Sequence, residues 1–147
     1  MKLTDLECTR QISATPDEVY DVWIDPTSPG GPWYSPQTGG MTSKILFTAK
    51  VDGLFYHRVT NLGRTWAHYG RFTALERGKL AVHTWVGEHT KGVESMVSTT
   101  FEARDGGTLV TLRHTGVPDD DEGRGHIQGW KWCLGMLADK LGKSPPA

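Results

Sequence analysis

A chain of 147 residues with 37% hydrophobic and 22% charged side chains can fill one sizeable core and is not composed like a disordered segment. Its 16 basic and 17 acidic residues nearly cancel, and without a long basic run it lacks the electrostatic footprint expected for binding nucleic acid or an anionic membrane. No stretch has the apolar length of a membrane span or signal peptide, so a cytoplasmic location is expected, with Cys8 and Cys133 as buried, reduced thiols.

Leu6, Cys8, Arg10 and Ile12 alternate with Glu7, Thr9 and Gln11, the period of a strand with one apolar side. Arg10 in that row marks an edge or a strand end. Thr15-Pro16-Asp17-Glu18 supplies a helix start: a capping hydroxyl, a proline at the first helical position and a glutamate able to complete a capping box. Val19, Val22 and Trp23 then share one face, and the helix must stop near Asp25-Pro26. Residues 26–40 are rich in Pro, Gly and Ser yet carry Trp33 and Tyr34, so this segment is expected to fold back, either plugging one end of the core or forming a lid.

Strands are expected at 44–51, 54–60, 66–75, 79–86, 95–103 and 108–115. Turn residues separate most of them: Asp52-Gly53, Asn61-Leu62-Gly63, Arg77-Gly78 and Arg104-Asp105-Gly106-Gly107. Such spacing predicts an antiparallel meander. A last helix begins in the acidic run Asp119–Glu122, where negative charge meets the positive end of the helix dipole. Ile127, Trp130, Leu134, Leu137 and Leu141 form its apolar stripe, with Cys133 and Ala138 at the edge. Gly123, Gly125 and Gly129 weaken its first half, which is expected to kink or fray. Trp132 and Met136 fall on the opposite face, beneath the 26–40 segment or at a homodimer contact.

These elements predict one domain over residues 1–143 and a short tail at 144–147. A sheet with one apolar face needs a cover. The long helix supplies it, giving an α+β helix-grip fold: a curved antiparallel sheet wrapped around the C-terminal helix. The space left between them is the natural cavity.

The chain has no GxSxG elbow, P-loop, HExxH or helix-opening GxGxxG, so no cofactor is expected. Of its six histidines, His57, His68, His83 and His114 fall in strands, and His89 and His126 in or near loops. None has the HxH or HxxxH spacing of metal ligands, and no metal site is expected. His114 shares strand parity with Val110 and Leu112 and should face inward. It is either a structural histidine, a polar anchor for a ligand, or a general base; it is the candidate catalytic residue. His126 opens the helix opposite that strand end. Parity does not settle whether His68 or Tyr69 faces inward. Arg10, Arg58, Arg71 and Arg113 either hold an anionic group in the cavity or face solvent, and Glu94 and Glu102 carry the same ambiguity. The candidate ligand-binding wall is Trp33, Tyr34, Phe47, Phe55, His68, Trp85, Phe101, His114, Trp130 and Leu134, with Val97 beside them.

Six local patterns recur in order: Ile12-Ser13-Ala14-Thr15-Pro16-Asp17-Glu18-Val19-Tyr20, Trp33-Tyr34-Ser35-Pro36, His68-Tyr69-Gly70-Arg71-Phe72, His83-Thr84-Trp85, Leu112-Arg113-His114-Thr115-Gly116 and His126-Ile127-Gln128-Gly129-Trp130. In these the chain resembles the START-like, or SRPBCC, superfamily, and within it the small bacterial proteins related to the activator of the heat-shock protein 90 ATPase. The resemblance implies a helix-grip fold with a hydrophobic ligand cavity. Members of the superfamily bind lipids, polyketides or hormones, and some are cyclases or hydrolases. The leading expectation is therefore binding of an apolar or amphipathic small molecule. The alternatives are a cyclase, dehydratase or hydrolase using the same cavity, and a chaperone-associated interaction module.

Overall fold

The computed structural model describes residues 1–28, Trp33 and 41–142, with side chains in the second stretch from residue 44. Strand β1 (Leu3–Ile12) leads to helix α1 (Pro16–Trp23), followed by β2 (Met41–Phe47), β3 (Leu54–Asn61), β4 (Arg64–Glu76) and β5 (Leu80–Gly87). A 3-10 turn (Glu88–Thr90), β6 (Ser95–Arg104), β7 (Gly107–Pro118) and helix α2 (Asp121–Leu141) complete the order. The strands form a single seven-stranded sheet in the order β1-β7-β6-β5-β4-β3-β2, with every neighbouring pair antiparallel. This is the α+β helix-grip architecture that the hydrophobic patterning predicts.

Local chemistry accounts for the element ends. Thr15 Oγ1 accepts from the Glu18 amide at 3.2 Å and Glu18 Oε1 accepts from the Thr15 amide at 3.3 Å, a complete capping box. Leu62-Gly63 and Asp105-Gly106 both take positive φ (51° and 77°; 52° and 77°), the two-residue turn whose twist matches antiparallel strands. The Asp52-Gly53 link differs from expectation. Strand β2 ends at Phe47 rather than Val51, and residues 48–53 form a longer loop. Its last residues leave β2's partner to bond β4: the Asp52 amide donates to the Phe72 carbonyl (2.8 Å) and the Phe72 amide to the Gly53 carbonyl (2.9 Å).

Register shifts between Thr4 and Leu6, Thr42 and Lys44, and Phe72 and Ala74 bend the sheet, because an extra residue on one strand sharpens its twist. The concave face holds α2, which lies chiefly across β1 and also touches β7, α1 and the 3-10 turn. Trp130, Leu134 and Leu137 of α2 are buried, with Ile127, Cys133, Ala138 and Leu141 packed at the margin. Helix α2 is continuous from Asp121 to Leu141 despite its glycines. Asp120 caps it by accepting from the Gly123 amide at 2.8 Å. Gly123 itself is required by close approach: a Cβ there would stand 1.8 Å from the Pro118 carbonyl oxygen. Tyr34, most of the 26–40 segment and the 144–147 tail lie outside the described residues.

Candidate functional site

Alternation along β3 turns Phe55, His57 and Val59 inward, and along β4 it turns His68 inward and leaves Tyr69 53% exposed on the outer face. Cross-strand pairing then sets His57 directly opposite His68. Trp85 on β5 stacks on His68 with ring centroids 4.0 Å apart. Its ring also meets His83 (6.0 Å), His114 (6.2 Å), His126 (6.4 Å) and Trp130 (4.9 Å). His89, on the 3-10 turn, reaches this group through His126 at 6.3 Å. All six histidines of the chain thus converge on one region around Trp85.

At its centre lies a cavity of about 360 Å³. The sheet contributes His57, Val59, Trp66, His68 and Trp85, and the 3-10 turn contributes His89. Trp23 and Trp33 close the side toward α1, where Trp33 Nε1 donates to the Trp23 carbonyl at 2.7 Å. Helix α2 supplies Glu122, Gly125, His126, Gly129, Trp130, Trp132 and Cys133. These helix positions are spaced by three and four residues, so they form a second stripe beside the core stripe. A Cβ on Gly125 would meet no atom within 4 Å, which is the space that opens along this stripe.

Of the wall expected from sequence, Trp33, His68, Trp85 and Trp130 line the cavity. Phe47, Phe55, Phe101, His114 and Leu134 face inward but sit in the packed core. Phe47 and Phe55 pack on Phe72, Phe101 meets Tyr20 edge to face, and Leu134 lies under the middle of α2. Tyr34 lies outside the described residues. Arg10, Arg71 and Arg113 are exposed, and no arginine is among the residues lining the cavity. Arg71 donates to the Asp52 carbonyl at 2.9 Å, and Arg113 faces Glu7 across 3.7 Å.

Sequence parity alone could have reached part of the missed wall. His57 and Val59 share the parity of Phe55, and Trp66 shares that of His68. The helix stripe from Glu122 through Gly125, His126 and Gly129 to Trp132 and Cys133 was also legible as a period, with its glycines marking removed volume.

The hydrogen bonds sort these histidines by role. Trp130 Nε1–H donates to His114 Nδ1 at 2.9 Å, so His114 carries its hydrogen on Nε2 and gives it to Ser95 Oγ at 2.7 Å. Ser95 Oγ in turn donates to the Trp85 carbonyl at 2.7 Å. Both nitrogens of His114 are committed, and the residue is fully buried. Burial holds its pKa down at about 2, with nearby His126 and His83 adding to the effect. His83 Nδ1 faces the Thr84 carbonyl at 3.0 Å, and burial lowers its pKa to about 4. Burial likewise lowers His57 to about 4, opposed by a hydrogen bond to the Trp33 backbone. It lowers His68 well below the usual value, with the neighbouring histidines adding to it, and also lowers His126. At neutral pH these five imidazoles are uncharged. Among the described residues no three His, Cys, Asp or Glu side chains are grouped to hold a metal ion, and no helix is long and apolar enough to cross a membrane.

The model of one protein family, described as activator of Hsp90 ATPase homolog 1-like protein, matches residues 13–142. No curated protein is similar enough in sequence to match. Among solved structures, protein CV1439 from Chromobacterium violaceum is similar at 23% identity and a TM-score of 0.82, covering 96% of this chain and 99% of that one. CalU16 from Micromonospora echinospora is similar at 19% identity and a TM-score of 0.69, covering 96% and 78%. The Aha1 dimer from Colwellia psychrerythraea, a solution structure, is similar at 19% identity and a TM-score of 0.67, covering 95% and 98%. At these identities the structural likeness speaks for the fold, and the fold is consistent with a ligand-binding or an Hsp90-associated module.

Proposed function

The chain belongs to the activator of Hsp90 ATPase homolog 1-like family, and from that premise we propose that it binds a small hydrophobic or amphipathic molecule in the cavity between sheet and α2. The observation that carries this reading is the cavity itself: about 360 Å³, walled by Trp23, Trp33, Trp66, Trp85, Trp130 and Trp132, with a few histidines set among them. A mostly apolar concavity with a small number of placed polar groups is the usual form of a small-molecule site. The volume stands near the lower end of such sites, which run from roughly 300 to 1,000 Å³. It suits a molecule of one to three fused rings better than a long acyl chain. Apolar burial would supply affinity at roughly 25 cal/mol per Å².

Catalysis is the weaker reading for His114, because its two nitrogens hold Trp130 and Ser95 and neither is available to a substrate. An interaction module finds some support in Leu46, Leu54 and Tyr69, each more than half exposed on β2, β3 and β4.

The test is a titration of tryptophan emission with naphthalene derivatives, paired with native mass spectrometry of protein purified from its source. Saturable quenching at one site per chain, lost in a Trp85→Ala variant that still folds, is the expected result. Absence of any saturable ligand, with no co-purified small molecule, would refute the binding reading and favour the interaction module.

A further inference from the structure

The binding reading leaves open what kind of molecule enters, and the hydrogen-bond directions around the cavity bear on that. Each neutral imidazole carries one N–H and one lone pair. His126 Nδ1 lies 2.9 Å from the Gly123 carbonyl, which can only accept, so the ring hydrogen is on Nδ1. His126 Nε2 is then a bare acceptor, and among the described residues nothing donates to it.

The second case is a relay. The His57 ring bonds the Trp33 backbone in a way that favours a protonated nitrogen, so the Trp33 carbonyl takes the His57 hydrogen. His57 Nδ1 and His68 Nε2 are 2.8 Å apart. With its own hydrogen spent on Trp33, His57 accepts in this contact and His68 Nε2–H donates. That leaves His68 Nδ1 as a lone pair without a donor among the described residues. Trp85 stacked on the His68 ring holds it in place.

Two cavity-lining histidines, on opposite walls, are thus locked by backbone carbonyls into tautomers that offer acceptors. The rest of the wall agrees in sign. Trp faces are electron-rich, Glu122 stands at the helix end of the cavity, and among the described residues no arginine or lysine lines it. A carboxylate or phosphate guest would meet lone pairs and no cation. An ammonium guest would find acceptors, but the carboxylate in the lining, Glu122, is exposed and screened by water, so the charge would be buried chiefly against uncharged imidazoles, which is costly. A neutral hydroxyl meets neither penalty.

We propose that the cavity takes an uncharged aromatic molecule bearing hydroxyl donors, of the phenol or naphthol class, with His68 Nδ1 and His126 Nε2 as the accepting atoms. This rests on the binding reading above and narrows it to a chemical class.

The experiment compares 2-naphthol, 2-methoxynaphthalene, 2-naphthoate and 2-naphthylmethylammonium by calorimetry at pH 7.5, with the wild type and a His126→Phe variant. The expected result is that 2-naphthol binds about ten-fold or more tighter than the methoxy compound, the scale of one good buried hydrogen bond. Naphthoate and the ammonium should bind more weakly than either. In His126→Phe the ratio of naphthol to methoxy affinity should fall several-fold, whatever the altered wall does to the affinity of both compounds. Equal affinity for naphthol and its methyl ether, or a preference for either charged compound, overturns the donor class while leaving the cavity a binding site. Failure of all four to bind overturns both. Long-range 1H–15N spectra of the histidine rings give a check that needs no variant. His68 should be the Nε2–H tautomer and His126 the Nδ1–H tautomer, and the reverse assignment for either would refute the proposal.

Discussion

Acidification should unfold this protein well above the pH at which its carboxylates titrate. His57, His83 and His114 are 5%, 0% and 0% exposed, and burial lowers their pKa values to about 4, about 4 and about 2 from an ordinary 6.5. Above pH 6.5 these groups are neutral in both folded and unfolded chains, so they contribute no pH dependence. As pH falls below 6.5 the unfolded chain takes up protons that the folded chain refuses, and stability falls until the folded pKa values are reached. At pH 5 each such histidine favours the unfolded chain by about 2 kcal/mol relative to pH 8, or roughly 6 kcal/mol for the three together. A domain of this size holds on the order of 5–15 kcal/mol. Burial of His68 and His126 acts in the same direction. The ion-paired carboxylates Asp21, Asp119 and Asp120 have lowered values and lose their contribution only at lower pH. Urea melts at half-unit steps from pH 8 to 4.5 should show a midpoint that is level to about pH 7 and then drops steeply, with roughly three or more protons taken up on unfolding near pH 5. A midpoint constant between pH 8 and 5 would mean that the imidazoles are not buried and neutral, and the whole description of the site would fall with it.

Two neighbouring glycines of α2 should respond oppositely to alanine. Gly123→Ala forces a Cβ to within 1.8 Å of the Pro118 carbonyl and should destabilise by roughly 2 kcal/mol or more, whereas at Gly125 the Cβ meets nothing and the gain in helix propensity should stabilise by about 0.5–1 kcal/mol in denaturant melts. Cys133 should resist thiol reagents: burial pushes its thiol up to about 12, aided by the nearby Cys8, so at pH 7.5 its labelling should run about a thousand-fold slower than in urea, with rapid native labelling as the contrary result.

The fold was legible because its signals are local. Thr15 and Glu18 form the box their spacing promises, Leu62-Gly63 and Asp105-Gly106 turn where a turn is needed, and the α2 stripe buries Trp130, Leu134 and Leu137. The site was legible only in part, because strand parity tells which face a residue takes and not what stands opposite it. Phe101 and His114 face inward as their parity requires, yet helices lie over them and fill the space. His57 and Trp66 face inward as well, but opposite them α2 presents Gly125 and Gly129, and the space stays open. That difference depends on where the helix lies across the sheet, which follows from packing of α2 on β1 and β7 far along the chain. His114 drew attention as the inward polar residue, and it proved, like His57, to be a histidine whose hydrogen bonds are all used.

Most of the features that cost this fold stability gather at one end of it. Glycines at 125 and 129 forgo helix propensity and side-chain contact, His68 and His126 keep lone pairs without donors among the described residues, and His83 Nε2 is buried with no partner there either. The opposite end, around Leu137, Leu112 and Val110, is filled by fully buried aliphatic residues, and its departure is a single one, Thr99 Oγ1, buried opposite Leu112 with no partner among the described residues. A sequence shaped for stability alone would fill the first end as it fills the second, and departures from local rules concentrate where function requires them. The histidines tie the two consequences together. Burial that keeps them neutral makes them acceptors for a guest's hydroxyl, and the same burial makes the unfolded chain the better proton binder in acid. A guest that donates to His68 and His126 favours their neutral forms, so ligand binding and resistance to acid are coupled through the same ring nitrogens.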